Sequence, residues 1–182
     1  MAERLETLLE GVALIEPKVF GDDRGFFVET FSEDAWKELG AEAGFVQHNH
    51  SRSSKDTLRG LHFQTDPGQA KLLRCPRGSI FDVAVDLRRD SVTYGQWEGH
   101  VLDDVNHRQL YVPVGFAHGF CVLSDVADVT YLVSSLYDPA TEAGIRWDDP
   151  EVGVEWPTDT PLLSQRDKDA PLLSEIAGDL PW

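Results

Sequence analysis

Arg59 and His62 stand three residues apart in the stretch "TLRGLHFQ", residues 57–64, and together they offer two kinds of chemistry. An imidazole can accept a proton near neutral pH. A guanidinium can bind an anion through paired hydrogen bonds. Around them Thr57, Leu58, Leu61 and Phe63 read as a strand entering a core. In a regular strand, side chains alternate, so residues three apart point to opposite faces. Gly60 lies between the two, and a glycine inside a strand often marks a bulge; one extra residue there turns Arg59 and His62 toward the same face. A proton acceptor and an anion binder then share one cavity. The plainer alternative is a buried, hydrogen-bonded histidine beside a surface arginine.

Other polar residues fall where neighbouring strands could bring them together. "FVQHNHS" alternates Gln47 and Asn49 with His48 and His50, "QAKLLRC" supplies Lys71 and Arg74, and "VPVGFAHGF" places His118 after a Pro and Gly turn. A few convergent polar groups among apolar walls are what a ligand cavity requires. Each also has a structural reading: His118 as a turn histidine, and Tyr131 as a core tyrosine between Val129 and Val133.

The elements that must position these residues are mostly strands. Apolar residues recur at period two between Gly, Pro, Asn and Asp, the pattern of short antiparallel strands. In "SIFDVAVDLR", Phe81, Val83, Val85 and Leu87 share one face, with Asp82, Ala84 and Asp86 on the other. Similar runs are "GFFVETF", "GFVQHNHS", "KLLRCP", "RQLYVP", "GFCVLS" and "VTYLVSS". Many strands without intervening helices predict a β-sandwich or jelly roll. "SEDAWKELG" is the one convincing helix, with Ser32 as its cap and Gly40 as its close. The tail after Trp156 predicts loops and short helical turns laid over the sandwich.

A chain of 182 residues with 41% apolar content fits one domain, 1–182. With 32 acidic against 16 basic residues the net charge is −16, which disfavours nucleic acid and anionic membranes as partners. Any cavity for an anion must therefore build its own cluster of cations. Cys75 and Cys121 sit apart in apolar runs and form no spaced metal set, so both read as reduced core residues. The N-terminal stretch shows no long apolar run, and the expectation is a soluble, cytoplasmic protein.

From about Val19 to about Leu173 the stretches "VFGDDRGFFVETF", "FVQHNHSRSS", "TLRGLHFQ", "QAKLLRCPRGSIFDVAVDLR", "YGQWEGHVL", "RQLYVPVGFAHGF", "TYLVSSLYDP" and "LLSQRDKDAPLL" follow one another in order. Together they resemble the dTDP-4-dehydrorhamnose 3,5-epimerase family, a branch of the cupin-like jelly rolls. The resemblance implies an all-β jelly-roll sandwich with a few short helices. It implies a dTDP-linked 4-keto-6-deoxyhexose as substrate and no cofactor. By the same matching His62 is the base, Asp167 its carboxylate partner (Asp169 being the second choice), Tyr131 the acid and Lys71 the partner of the enolate. Arg24, Glu29, Gln47, Asn49, Arg59, Lys71, His118, Glu142 and Arg166 would hold the sugar nucleotide. Members are homodimers that exchange an N-terminal segment, so Arg24 and Glu29 are expected to serve the neighbour's cavity.

Three rival readings stay open at this point. A metal-dependent cupin could use the HxH spacing of His48 and His50 together with "PVGFAH", in which Pro113, Gly115 and His118 resemble the second cupin motif. Against it, no glutamate follows His50 at the distance such a site uses, and Asp56 is a poor substitute. A non-catalytic sugar-binding sandwich would need the arginines but neither base nor acid. A relative that epimerises only C3 or only C5 would keep much of the same machinery.

Overall fold

The computed structural model describes residues 2–182. Its first strands are β1 (Glu3–Leu5), β2 (Ala13–Glu16), β3 (Val19–Asp22) and β4 (Gly25–Val28). Helix α1 (Glu33–Glu38) follows, then β5 (Gln47–Ser54), β6 (Leu58–Gln64), β7 (Lys71–Arg77), β8 (Ser79–Asp86) and β9 (Trp97–Asp103). The last strands are β10 (Gln109–Val112), β11 (Phe116–Val122), β12 (Val126–Val133) and β13 (Glu142–Gly144). The tail carries α2 (Gln165–Lys168), α3 (Leu173–Ile176) and one 3₁₀ turn. Among the described residues no helix is long and apolar enough to cross a membrane.

The strands form a six-stranded sheet in the order β1-β2-β10-β7-β12-β5 and a five-stranded sheet in the order β13-β6-β11-β8-β9. β3 and β4 pair only with each other. This is the sandwich that the strand spacing predicts. Between the sheets, Leu73, Leu110 and Val129 of the first pack with Ile80, Leu102 and Phe120 of the second.

Both outer faces are also partly covered. Leu61, Phe63, Val83, Val85 and Ala117 lie on the outside of the five-stranded sheet under Ile145, Val152, Leu173 and Leu180 of the tail. Ile15, Leu72 and Tyr111 lie on the outside of the six-stranded sheet against Trp36 of α1. The alternation read in β8 is therefore present, but its apolar face looks outward to the tail. Ile80 and Ala84 join the core between the sheets, and Asp82 shares their face. Helix α1 matches its expected span and Gly40 closes it at φ +101°, although the Ser32 side chain makes no capping bond.

The expected bulge is present in β6. His62 lies opposite His118 and Arg59 opposite Phe120, so β6 takes three steps where β11 takes two. Gly60 has φ +143°, and a Cβ there would lie 2.5 Å from the Gly119 Cα. Gly119 is restricted in turn, since a Cβ on it would meet the Arg59 carbonyl oxygen at 2.9 Å. The two strands can approach this closely only because neither residue carries a side chain. Gly60→Ala is expected to lower stability in urea unfolding by about 2 kcal/mol or more, from strain and overpacking together. A variant as stable as the parent would contradict this account of the bulge.

Candidate active site

A cavity of about 390 Å³ opens between the sheets, and Arg59 and His62 both line it, as one extra residue in β6 requires. Its walls come from different sheets. β6 and β11 of the five-stranded sheet contribute Arg59, His62 and His118, while β5, β7 and β12 of the six-stranded sheet contribute Asn49, Lys71 and Tyr131. The imidazole of His62 and the phenol of Tyr131 thus face one cavity from opposite sides.

His62 is held from the tail. Its Nε2 lies 2.6 Å from Asp167 Oδ1, and Ser164 Oγ donates to Asp167 Oδ2 at 2.7 Å. Ser164 also caps α2 by accepting the Asp167 backbone N–H at 3.1 Å, so a single serine orients both the helix and the carboxylate. Asp167 is buried, whereas Asp169 is exposed and accepts from the Gln165 amide. Of the two spacings considered, only Asp167 reaches the histidine.

Burial pushes His62 below its ordinary value, and the hydrogen bond and charge of Asp167 oppose it only in part. The ring is therefore neutral at pH 7 and free to accept a proton. Burial would raise Asp167, but its bonds to His62 and Ser164 outweigh that and hold it as a carboxylate. Burial also raises Tyr131, against the nearby charge of Arg59, so the phenol keeps its proton.

Lys71 reaches from one sheet to the other and donates from Nζ to the His62 carbonyl oxygen at 3.2 Å. Burial pulls it down to about 8, with Glu142 and Asp82 opposing the shift. It remains mostly an ammonium at neutral pH, set in surroundings that make its charge effective.

At the mouth, Arg166 forms two hydrogen bonds to Glu142, one of them from Nη2 to Oε1 at 3.0 Å, and Tyr137 donates to Glu142 Oε2 at 2.8 Å. Arg59 donates through Nε to Ser53 Oγ at 3.0 Å and keeps its remaining N–H groups available.

Not every expected residue meets this cavity. Gln47 does not line it; its amide donates to Asn49 Oδ1 at 2.8 Å and so orients a residue that does. Arg24 lies in the β3–β4 hairpin, paired with Asp22, and Glu29 is exposed beyond that hairpin. Arg74 and His48 line a separate hollow on the outer face of the six-stranded sheet, and His50 sits 3.5 Å from Asp128. His48 and His50 therefore face away from His118. Among the described residues no three of His, Cys, Asp and Glu are grouped to hold a metal ion. Cys75 and Cys121 are buried and unpaired, as expected.

The sequence reading passed over Ser51, Gln69, Tyr137 and Ser164, all of which line the cavity. For Ser164 a signal existed, because "SQRD" has the Ser-x-x-Asp form of a helix start.

The sequence profile of the dTDP-4-dehydrorhamnose 3,5-epimerase family matches residues 6–175. A dTDP-4-dehydrorhamnose 3,5-epimerase of Shigella flexneri is 50% identical over 165 residues, 90% of this chain and 91% of that protein. A dTDP-4-dehydrorhamnose 3-epimerase of Streptomyces niveus is 50% identical over 177 residues, 95% of this chain and 86% of that protein. The crystal structure of a dTDP-6-deoxy-D-glucose-3,5-epimerase from Legionella pneumophila, in complex with dTDP-4-keto-L-rhamnose, superposes with a TM-score of 0.95 at 44% identity, covering 98% of this chain and 96% of that one. The ordered motifs, the cupin-like sandwich and a profile match over nearly all its length agree: the chain belongs to the dTDP-4-dehydrorhamnose 3,5-epimerase family.

Proposed function

We propose that the protein inverts C3 and C5 of dTDP-4-dehydro-6-deoxy-D-glucose to give dTDP-4-dehydro-L-rhamnose. The observation that carries this reading is an imidazole–carboxylate pair facing a phenol across one cavity, with a buried ammonium beside them. C3 and C5 both flank the C4 ketone, so losing a proton at either carbon puts negative charge on the same oxygen. His62 takes the proton, the C–H electron pair moves toward C4, and Lys71 stabilises the oxyanion. Tyr131 then gives a proton to the carbon from the other face of the ring as the ketone reforms. The imidazolium loses its proton and the phenolate regains one before the next step. Asp167 supports the transient imidazolium. A positioned base contributes about 10²–10⁴-fold and one oxyanion donor about 10²–10³-fold. Arg59 and Arg166 bind the diphosphate, with Asn49, His118 and Glu142 around the sugar.

The 3-epimerase of Streptomyces niveus is as similar to this chain as the 3,5-epimerase of Shigella flexneri, which favours single inversion as a second reading. Incubation with the 4-keto sugar nucleotide in D₂O, with product captured by a ketoreductase, separates the two. Deuterium is expected at both C3 and C5; label at one carbon alone selects the second reading, and none at all leaves only binding. His62→Ala is expected to lower exchange by about 10²–10⁴-fold without changing dTDP affinity. Arg59→Ala should instead weaken dTDP binding by about 10–100-fold. Normal exchange in the first variant would remove His62 from the role of base.

We also infer a homodimer in which Arg24 and Glu29 complete the partner's cavity. Supporting it, both residues lie away from their own cavity, in or just beyond a hairpin whose Phe20, Phe26 and Phe27 are exposed at 53%, 60% and 69%. An apolar patch of this kind marks an interaction surface. Mixed and reassociated Arg24→Ala and His62→Ala proteins are then expected to recover about a quarter of parental activity, because half the pairs are mixed and each carries one intact cavity. No recovery would place Arg24 and His62 in the same subunit's site. The buried, unpaired cysteines fit a reducing compartment, the cytoplasm.

A further inference from the structure

A second imidazole–carboxylate pair lies beside the first. His118, the cross-strand partner of His62, places Nε2 at 3.0 and 3.1 Å from the two oxygens of Asp82. Asp82 is wholly buried on β8 and does not itself line the cavity. Burial raises Asp82 above the ordinary carboxylate range, and the charges of His118, His100 and Lys71 together with the His118 hydrogen bond oppose that shift. Its engagement of Nε2 leaves Nδ1 as the ring nitrogen that His118 can turn to the cavity it lines.

We propose that Asp82 is a positioning residue for the reaction: it fixes the ring of His118 from behind the cavity wall and supplies a buried negative charge that sustains the Lys71 ammonium. The second half rests on the reading of Lys71 as the partner of the C4 oxyanion. The charged groups facing Lys71 are Glu142 of β13, Asp82 of β8 and Arg166 of α2. Those facing Asp82 are His118 of β11, His100 of β9 and Lys71 itself. Burial pulls Lys71 down to about 8 and the charges of Glu142 and Asp82 oppose that shift, so losing either carboxylate moves it lower. Asp82 thus acts on two groups of the cavity without touching the sugar.

The pH dependence of kcat for deuterium exchange tests this. The parent is expected to lose activity above about 8, as Lys71 loses its charge. In Asp82→Asn that limb should move to lower pH and kcat at neutral pH should fall by about 10–100-fold, with dTDP affinity retained. A lower kcat with the limb in its parental place would mean that Asp82 is merely structural and would overturn the proposal. A limb that persists in Lys71→Met would instead remove the Lys71 reading, and the charge-setting half of the proposal with it. Should Asp82→Asn fail to fold, ¹⁵N imidazole shifts of the parent protein decide the other half: His118 is expected to carry its proton on Nε2, and a proton on Nδ1 alone would refute the assignment.

Discussion

The contact between two glycine backbones, Gly60 on β6 and Gly119 on β11, is the constraint on which the site rests. A Cβ at Gly60 would sit 2.5 Å from its neighbour, so the extra residue in β6 fits only where both side chains are missing. Without that residue, strand alternation would send Arg59 and His62 to opposite faces. With it, a guanidinium and an imidazole share one wall, and the facing sheet supplies a phenol and an ammonium. A third glycine extends the same logic. A Cβ on Gly144 would meet the Leu61 carbonyl oxygen at 2.8 Å and the His62 ring at 3.3 Å, so the edge strand β13 can close on the imidazole only without one.

The cavity concentrates charge in a way that the exterior does not reveal. A chain of net charge −16 binds a diphosphate only if cations are gathered locally, and Arg59, Lys71 and Arg166 all line one cavity. Each is tied to a polar partner of its own, Ser53, the His62 carbonyl and Glu142 respectively. Burial is opposed in the same pairwise manner: His62 and Ser164 outweigh it at Asp167, while His118 opposes it only in part at Asp82. The groups are held in place before any ligand arrives, which is the condition under which fixed charges accelerate a reaction.

Most strands were legible because each alternates and ends on turn residues, and the bulge was legible because a glycine interrupts such a run. The choice of Asp167 over Asp169 came from the family resemblance, and its physical reason, the Ser164 cap, emerges only in three dimensions. Alternation in β8 separated Asp82 from Val83 but could not say which face was inner, since both are covered, one by a sheet and the other by the tail. Gln47 was assigned to the ligand by the family resemblance; it shares a strand face with Asn49, but its amide is spent on Asn49 itself. Arg24 and Glu29 show the limit of the approach most clearly, because a motif identifies residues without saying whose cavity they enter.

Asp167 and Arg166 reach the cavity on a segment that follows both sheets in the chain and docks on the outside of one of them through Leu173 and Leu180. Docking of the tail and completion of the dyad are therefore one event. The segment that brings the carboxylate to the imidazole is thus the same one that shields an apolar sheet face from water, so loss of the tail would cost the protein both at once.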